Sequence, residues 1–426
     1  MSTRRSPVVT FFGLTVAFCG CSAAVTAEPP GKLVKADVPR AAPEVGRPAL
    51  QELAQGNTAF GLELYAQVRG QPGNLAVSPL SISVALAMTY AGARGETATQ
   101  MQRTLHLPAE DPHAAMNTLV QRLLATPPGV EPGDPRPKPP RLDIVNQLFA
   151  QEGDSFEAPF LESLARDYGA GVRLLDFRQA DAAAQAINDW ISQRTEKRIQ
   201  NLVSPADVRA ASLTLANAIY FKAKWNLPFA KGATRAQPFK PLDGSEVSVP
   251  TMSQTATFRH AAGDAVQAVE LLYARSSLAM LLLVPDAGQF TSFEQRLTPN
   301  AIQSLVDQLK QKALRLSVPK WTVRAKFRLN DALSTLGMPA AFDPACADFT
   351  GMSPQNLWIG AALHEAFVRV DEEGTEAAAA TALPEAKSEE PRGVLELKID
   401  RPFLFVIRDT QTGTILFLGR VVDPRG

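Results

Sequence analysis

The chain has little net charge, few histidines and few cysteines. Its 426 residues include 43 basic and 43 acidic side chains, so the formal net charge is zero. A balanced charge gives no electrostatic basis for binding nucleic acid or an anionic membrane surface. The four histidines are scattered, and none has a neighbour at the spacing typical of a zinc site. The sequence therefore predicts no nucleic-acid partner, no metal and no other cofactor.

Cysteine usage excludes a disulfide framework. Cys19 and Cys21 lie in an N-terminal apolar segment, which leaves Cys346 as the single thiol in the body of the chain. A lone cysteine of this kind is typical of a small packing residue. The signatures GxSxG and HExxH and the phosphate-binding glycine loop are also missing. We expect no catalytic residue and no enzyme activity.

Residues 1–27 are typical of an export signal. Arg4 and Arg5 precede the apolar run VVTFFGLTVAF, which is too short to span a bilayer. Small residues at 25–27 indicate cleavage after Ala27, whereas FCGC at 18–21 resembles a bacterial lipoprotein signal with Cys21 as the lipidated first residue. Both alternatives stay open. They predict a secreted protein, extracellular or periplasmic, whose one membrane attachment would be a lipid on Cys21.

The rest of the chain is typical of an α+β protein. The proline- and charge-rich residues 28–48 predict a flexible linker, and residues 49–426 predict one domain. An amphipathic helix follows the linker, and SPLSISVALAMTYAGARG predicts a buried helix capped by Ser78 and ended near Gly92. Apolar or alternating runs such as SLTLANAIYF and LAMLLLVP predict strands of at least one large sheet.

Two polar residues interrupt the apolar faces of predicted strands. Asn217 shares a face with Leu215 and Ile219 by the two-residue period of a strand. His364 shares a face with apolar residues of ALHEAFVRV in the same way. Buried polar groups need hydrogen-bond partners, so either residue could be satisfied separately within the core. A hydrogen-bonded pair on neighbouring strands would explain both.

Six segments, in one order, resemble the serpins, a family of suicide-type protease inhibitors. They are NLAVSPLSISVALAMTYAGARGETATQM, INDWISQRTEKRI, LANAIYFKAKW, LSTLGMPAAFDPACADFTGM, VDEEGTEAAAAT and RPFLFVIRDTQTGTILFLGRV. The resemblance implies the α+β serpin fold. That fold is a single domain with a large central, mostly antiparallel sheet, two smaller sheets, eight or nine helices and an exposed reactive loop.

The resemblance also implies places for particular residues. It puts a polar cluster beneath the centre of the main sheet, comprising Ser78, Ser81, Asn217 and His364. Trp225 matches a tryptophan beside the point where that sheet opens. Glu365 stands where many members have lysine, a difference that we expect to concern the surface.

By the same resemblance, the stretch DEEGTEAAAATALPEAKSEEPRG at 371–393 carries the hinge and most of the reactive loop, which is expected at 374–401. The implied hinge comprises Glu372, Gly374, Thr375, Glu376, Ala377, Ala378, Ala379, Ala380 and Thr381. After cleavage this segment would enter the main sheet as a strand, with alternate residues facing the core. The four at 375, 377, 379 and 381 are small and uncharged, so none opposes insertion.

The resemblance therefore implies a suicide substrate for a serine protease, or alternatively a cysteine protease, held in a covalent complex. A monomer is expected. The alternative is a non-inhibitory serpin that acts as a chaperone or binding protein. Such members usually carry bulky, charged or proline residues in the hinge, whereas alanines dominate here.

Spacing and chemistry disagree about the reactive bond. The family's spacing from Glu372 favours Ser388–Glu389, which suits an elastase-like or subtilisin-like pocket. One residue earlier, Lys387–Ser388 offers the basic side chain that a trypsin-like pocket selects through its aspartate. Ser388–Glu389 is slightly favoured, and both stay open.

Overall fold

The computed structural model describes residues 30–125, 136–209, 211–375 and 394–426. Three predictions concern residues outside these ranges: the signal segment with Cys21, the hinge residues from Glu376 to Thr381, and the reactive bond at Lys387, Ser388 and Glu389. Within the described ranges, no helix is long and apolar enough to cross a membrane.

The described residues form ten α-helices, three of them of only five or six residues, against the eight or nine expected. They are α1 Arg47–Val68, α2 Pro79–Tyr90, α3 Gly95–Thr104, α4 Pro112–Leu124, α5 Ala158–Ser163, α6 Ala180–Arg194, α7 Pro205–Arg209, α8 Phe290–Gln295, α9 Pro299–Asp307 and α10 Asn330–Leu336. The first eight strands are β1 Lys32–Val34, β2 Leu75–Val77, β3 Arg141–Gln151, β4 Val172–Leu175, β5 Leu213–Lys224, β6 Arg235–Phe239, β7 Val247–Gly263 and β8 Val266–Leu272. The remaining strands are β9 Leu278–Pro285, β10 Lys310–Pro319, β11 Trp321–Arg328, β12 Ile359–Asp371, β13 Gly374–Thr375, β14 Leu395–Lys398, β15 Phe403–Asp409 and β16 Ile415–Val421.

The central sheet has seven strands in the order β1-β4-β3-β5-β13-β12-β11. Most neighbours are antiparallel, and the two parallel pairs are β3 with β4 and β5 with β12. Strands β5 and β12 pair directly along one stretch, while β13 lies between them at one end. The expected large, mostly antiparallel sheet is therefore confirmed.

The other strands form one nine-stranded sheet. Its main order is β14-β10-β7-β8-β9-β15-β16-β2, and β6 pairs with β7. The 17-residue strand β7 pairs with β6 over its first residues, with β10 from Thr251 to His260, and with β8 over its last residues. The two smaller sheets expected from the resemblance are thus joined through β7.

The core lies between the two sheets and under α1 and α2. Helix α2 is buried along nearly its whole length, because its own residues are apolar on nearly every side of the helix. Ser78 caps it, since its hydroxyl accepts a hydrogen bond from the Ser81 N–H at 3.3 Å. The predicted cap is confirmed, and it places both serines under the central sheet.

A second apolar cluster lies on the opposite face of the central sheet, where α6 and the residues after it pack on β3, β5 and β12. Glu365 points to this side and is only 4 % exposed. The prediction of a surface position is therefore wrong, because the covering by α6 and α7 depends on tertiary packing. Burial raises the pKa of Glu365, and Arg324 opposes that effect from 3.9 Å.

Cys346 lies at the surface as a free thiol, so its expected packing role is also wrong. A hydrogen bond to Asp343 raises the pKa of this thiol, which disfavours the reactive thiolate.

The described part of the predicted linker, 30–46, is attached to the domain. Strand β1 pairs with β4 and extends the central sheet at its edge. Farther along, the Ala41 N–H donates to the Arg166 carbonyl at 2.8 Å, and the Asn117 amide of α4 donates to the Ala41 carbonyl at 3.0 Å. These contacts satisfy several of the segment's backbone groups, and its expected flexibility stays a prediction. The domain boundaries at 27 and 48 stay predictions.

Candidate functional site

The candidate site is the line along which β5 and β12 meet. From Leu213 to Tyr220, β5 pairs in parallel with β12. Beyond Tyr220 the two strands separate, and Gly374 and Thr375 of β13 pair with both of them. The hinge thus begins inside the central sheet, as a two-residue strand between β5 and β12.

Gly374 permits this entry. Its φ of +153° is rarely adopted by residues with a side chain, and a Cβ at this position would collide with the carbonyl oxygen of Ala223. The backbone of β13 therefore approaches β5 more closely than any other residue would allow. The sequence suggested a glycine hinge, and the structure gives its steric reason.

Thr375 is completely buried at this junction. Its hydroxyl shares a hydrogen bond with the Tyr273 hydroxyl, with 2.6 Å between the oxygens. The Tyr273 ring stacks on Trp225 with centroids 4.7 Å apart and planes 13° from parallel. Burial raises the pKa of Tyr273, so its hydroxyl keeps its proton.

Trp225 and the acidic residues before the hinge fix the strand ends. The indole Nε1 of Trp225 donates to the Asp371 carbonyl at 3.0 Å, and its backbone N–H donates to the Glu373 carbonyl at 2.8 Å. Burial acts to raise the pKa of Glu372, yet that pKa is lowered overall because Lys320 and Thr234 donate to its carboxylate. The structure therefore brings Trp225, Glu372, Gly374 and Thr375 together, where the resemblance implied the sheet opens.

The polar cluster lies farther along the same line. Asn217 and His364 stand directly opposite each other in the β5–β12 register. The His364 Nδ1 and the Asn217 Oδ1 are hydrogen-bonded, and the Asn217 amide donates to the Ser81 carbonyl at 2.8 Å and the Ser81 hydroxyl at 2.5 Å. The Ser78 N–H donates to the His364 Nε2 at 3.1 Å. All four predicted members meet under the sheet.

Sequence reasoning missed a fifth member, Asn146 of β3. It lies opposite Asn217 in the register, its Oδ1 accepts from the Asn217 amide, and its own amide donates to the Ser81 carbonyl at 3.1 Å. The polar cluster therefore spans three strands and the start of α2. An available signal was the polar Asn146 within the apolar run LDIVNQLFA.

His364 is neutral in this setting. Burial lowers its pKa to about 3. Because the Nε2 accepts a hydrogen bond from the Ser78 N–H, the neutral ring carries its proton on Nδ1, and this N–H donates a hydrogen bond to the Asn217 Oδ1. A neutral ring with both nitrogens engaged and no solvent exposure is suited to holding two strands together, and it is not suited to shuttling protons.

Comparison with known proteins identifies the family to which a chain with this geometry belongs. A family model described as serpin (serine protease inhibitor) matches residues 55–424. The chain belongs to the serpin family. Its resemblance to serpins and its serpin fold are both confirmed, and protease inhibition is the general activity that the family description names.

Similar proteins support this assignment along most of the chain. An uncharacterised serpin-like protein of Thermococcus kodakarensis is 37 % identical over 374 residues, 86 % of this chain and 84 % of that protein. The human leukocyte elastase inhibitor is 32 % identical over 398 residues, 88 % of this chain and 100 % of that protein. The structure of human thyroxine-binding globulin with its hormone superposes with a TM-score of 0.78 at 29 % identity, covering 88 % of this chain and 99 % of the other.

Proposed function

We propose that this serpin inhibits its target protease as a suicide substrate, by inserting the cleaved reactive loop between β5 and β12. The observation that carries the proposal is the position of β13, whose two residues already pair with both strands. In the direction in which the hinge would extend beyond Thr375, β5 and β12 pair directly with each other. A hinge extended in this direction replaces that direct pairing.

The pairing of β13 sets the register of insertion. Because Thr375 lies opposite Val370 and Ala223, residue 379 comes between Ala366 and Ile219. Continuing by two residues, Thr381 comes between His364 and Asn217 of the polar cluster. Insertion then separates the His364–Asn217 hydrogen bond and offers the Thr381 hydroxyl to both partners.

The face opposite the core also suits this register. Residue 376 comes beside Arg369 of β12 and Lys222 of β5. In the inserted state Glu376 thus meets two cations on the face opposite the core, where Arg369 is exposed, and opposite charges on neighbouring strands attract. The charged residue of the hinge and the four small core-facing residues are each compatible with their new surroundings.

The free energy comes from new strand pairing. Each added ladder hydrogen bond contributes roughly 0.5–1.5 kcal/mol net, and an inserted strand makes them on both sides. With burial of the small side chains, the sum reaches the order of 10 kcal/mol. Parting β5 from β12 breaks one set of ladder hydrogen bonds, whereas the inserted strand makes a set on each side.

The covalent step belongs to the protease. Its serine oxygen attacks the carbonyl carbon of Ser388, or of Lys387 in the alternative, and the peptide bond to the next residue breaks. The following residue leaves with a free amine, and an ester joins inhibitor and protease. Insertion then carries the tethered protease along the sheet, and distortion of its oxyanion hole stops water from hydrolysing the ester. A cysteine protease would form the corresponding thioester.

We propose that this inhibitor acts outside the cytoplasm, as a monomer, on the strength of the signal segment at 1–27. The lipid-anchored form on Cys21 and the freely secreted form differ in one test. Mass spectrometry of the mature N-terminus separates a lipidated Cys21 from a chain that starts at residue 28.

A non-inhibitory binding role is the second candidate, because thyroxine-binding globulin, one of the similar structures, was solved with a hormone bound. One mixing experiment decides between the two. The protein is incubated with a panel of serine and cysteine proteases and analysed on denaturing gels. A stable complex, together with a released C-terminal peptide identified by mass spectrometry, is expected. Cleaved protein beside fully active protease, with every enzyme of the panel, contradicts inhibition by insertion.

A further inference from the structure

A cavity of about 430 Å³ lies away from the insertion line, at the edge of the central sheet. It is lined by β1, the end of α4, the first half of β3, residues 168–171 before β4, and α6. Strand β4 pairs with β3 only from Leu148 onward, so this edge of β3 from Leu142 to Gln147 has no strand beside it in the described structure. The volume is within the range of small-molecule sites.

Two buried hydrogen-bond donors at this cavity have no partner in the described structure. They are the Nε of Arg173, a residue 8 % exposed, and the indole Nε1 of Trp190, a residue 5 % exposed. Arg173 is held in place by its Nη1, which donates to the Gly31 carbonyl at 2.9 Å. Buried donors are nearly always satisfied in folded proteins, so two of them at one cavity indicate a missing acceptor.

The charged side chains at the cavity also favour a ligand that offers hydrogen-bond acceptors. Among the residues that the structure describes, the charged side chains that line it are Lys35, Arg173, Arg194 and Asp143, three cations and one acid. The acid is already engaged, because Asp143 accepts from the Arg141 Nε at 2.7 Å. The net charge at the cavity is therefore positive, and a ligand that offers acceptors here is favoured if it carries negative charge.

The walls supply an apolar counterpart. Leu33 and Leu124 are two of the few large apolar side chains exposed in the described structure, at 42 % and 44 %, and both line this cavity. Leu142 and Ile144 of β3 line it as well. The register places Leu33 directly opposite Arg173, so an apolar wall and a cation adjoin each other.

We propose that this cavity binds a small amphipathic anion, a carboxylate with an apolar tail. The carboxylate accepts from Arg173 and Trp190, and the tail covers Leu33 and Leu124. Peptide or protein partners are less suited to the site, because both unsatisfied donors are buried atoms of residues that line a cavity of only about 430 Å³. The proposal does not rest on protease inhibition, although Asn146 of the polar cluster also lines this cavity.

Isothermal titration of decanoate into the full chain, below its micelle-forming concentration, tests the proposal. Saturable binding at one site is expected, at least tenfold tighter than binding of 1-decanol, which has the tail but lacks the charge. Arg173→Met and Trp190→Phe should each weaken decanoate binding by roughly tenfold, as expected when one hydrogen bond to a charged group is lost. Arg209→Met, which removes an exposed cation on α7, serves as the matched control and should leave the affinity unchanged.

A second variant keeps the test decisive where Arg173→Met fails to fold. Leu124→Glu changes an exposed residue and places a negative charge at the cavity, so it should weaken decanoate binding while thermal unfolding stays near that of the unchanged chain. Absence of binding heat, equal affinity for decanol, or unchanged affinity in Leu124→Glu and Trp190→Phe would each overturn the proposal. Tighter binding of a synthetic peptide of residues 126–135 than of decanoate, in competition for the same site, would assign the cavity to that segment and also overturn it.

Discussion

The Tyr273 and Thr375 hydroxyls meet at 2.6 Å where the hinge enters the central sheet. Both side chains are buried, and Tyr273 is held against Trp225 by ring stacking. This contact joins Thr375 of the hinge to the nine-stranded sheet, because Tyr273 directly follows β8, a strand of that sheet. The start of insertion is thus fastened to a part of the protein that does not belong to the sheet being opened.

Tyr273→Phe removes this hydrogen bond and keeps the ring stack. We expect the free energy of unfolding to fall by about 1–2 kcal/mol, because the Thr375 hydroxyl is left buried without a partner. Urea denaturation measures the change. Thr375→Val is the matched variant, and the double variant should cost less than the sum of the two single changes. Strict additivity would show that the two hydroxyls do not interact.

Insertion predicts a strong effect of charge at residue 379. Ala379→Glu should convert the protein from inhibitor to substrate, because a carboxylate would have to enter the core beside Ala366 and Ile219. Ala379→Gln, of nearly equal volume and uncharged, should keep a larger share of inhibition. The ratio of stable complex to cleaved protein on denaturing gels measures both. Equal partition in the two variants and the unchanged chain would contradict insertion at this register.

The polar cluster predicts a coupled loss of stability. Asn217→Ala should destabilise the uncleaved protein by about 1–3 kcal/mol, because His364, Asn146 and Ser81 each lose a partner. A double-mutant cycle with His364→Ala, followed by urea denaturation, measures the coupling between the two side chains. If the losses in free energy of unfolding from the two substitutions are additive, the Asn217–His364 hydrogen bond does not contribute to stability.

His364 also predicts a pH dependence. Its pKa is about 3 in the folded protein, below the ordinary value of 6.5. Between these two pH values the unfolded chain therefore binds a proton at this ring that the folded protein does not bind. The contribution to stability is complete above pH 6.5 and is lost as the pH falls toward 3. Well below pH 6.5, the loss reaches roughly 1.4 kcal/mol per pH unit. Urea denaturation between pH 7.5 and 4.5 should show a smaller slope for His364→Gln, which cannot titrate, and identical slopes would contradict the assignment.

The reactive bond is decided by Lys387→Ala. If the spacing from Glu372 governs, this variant still inhibits an elastase-like protease, with cleavage after Ser388. If the basic residue governs, the unchanged protein inhibits trypsin with cleavage after Lys387, and the variant loses that inhibition. Mass spectrometry of the released peptide identifies the bond in each case. Cleavage after Lys387 in the unchanged protein contradicts the preferred assignment.

Period-two reasoning was sufficient to predict that Asn217 and His364 face the same layer, and their pairing across β5 and β12 is confirmed. The same reasoning could not predict the burial of Glu365, because the covering of that face by α6 depends on contacts between residues far apart in sequence. Nor could composition predict the attachment of residues 30–46, whose proline and charge are typical of a spacer. There the partners are backbone groups of β4 and side chains of α4, which the segment's own sequence does not specify.

The hinge shows a similar limit. A glycine followed by small residues indicates a segment able to enter a sheet, and the resemblance together with the two-residue strand period predicts which of them would face the core. It did not indicate that Thr375 is already buried in this structure. That position depends on the separation of β5 from β12 beyond Tyr220 and on the hydroxyl of Tyr273, both of which result from the assembled fold.

The shared register of β5 with β12 and β13 makes the proposed insertion a sequence of local exchanges. Each parallel rung that opens between β5 and β12 is replaced by two antiparallel rungs, one on each side of the incoming residue. Parallel rungs are slightly the weaker kind, so every exchange gains in number and in strength. The sheet therefore never has to part along its full length at one time. Gly374 and Thr375 already occupy the first positions of the inserted strand that this proposal describes.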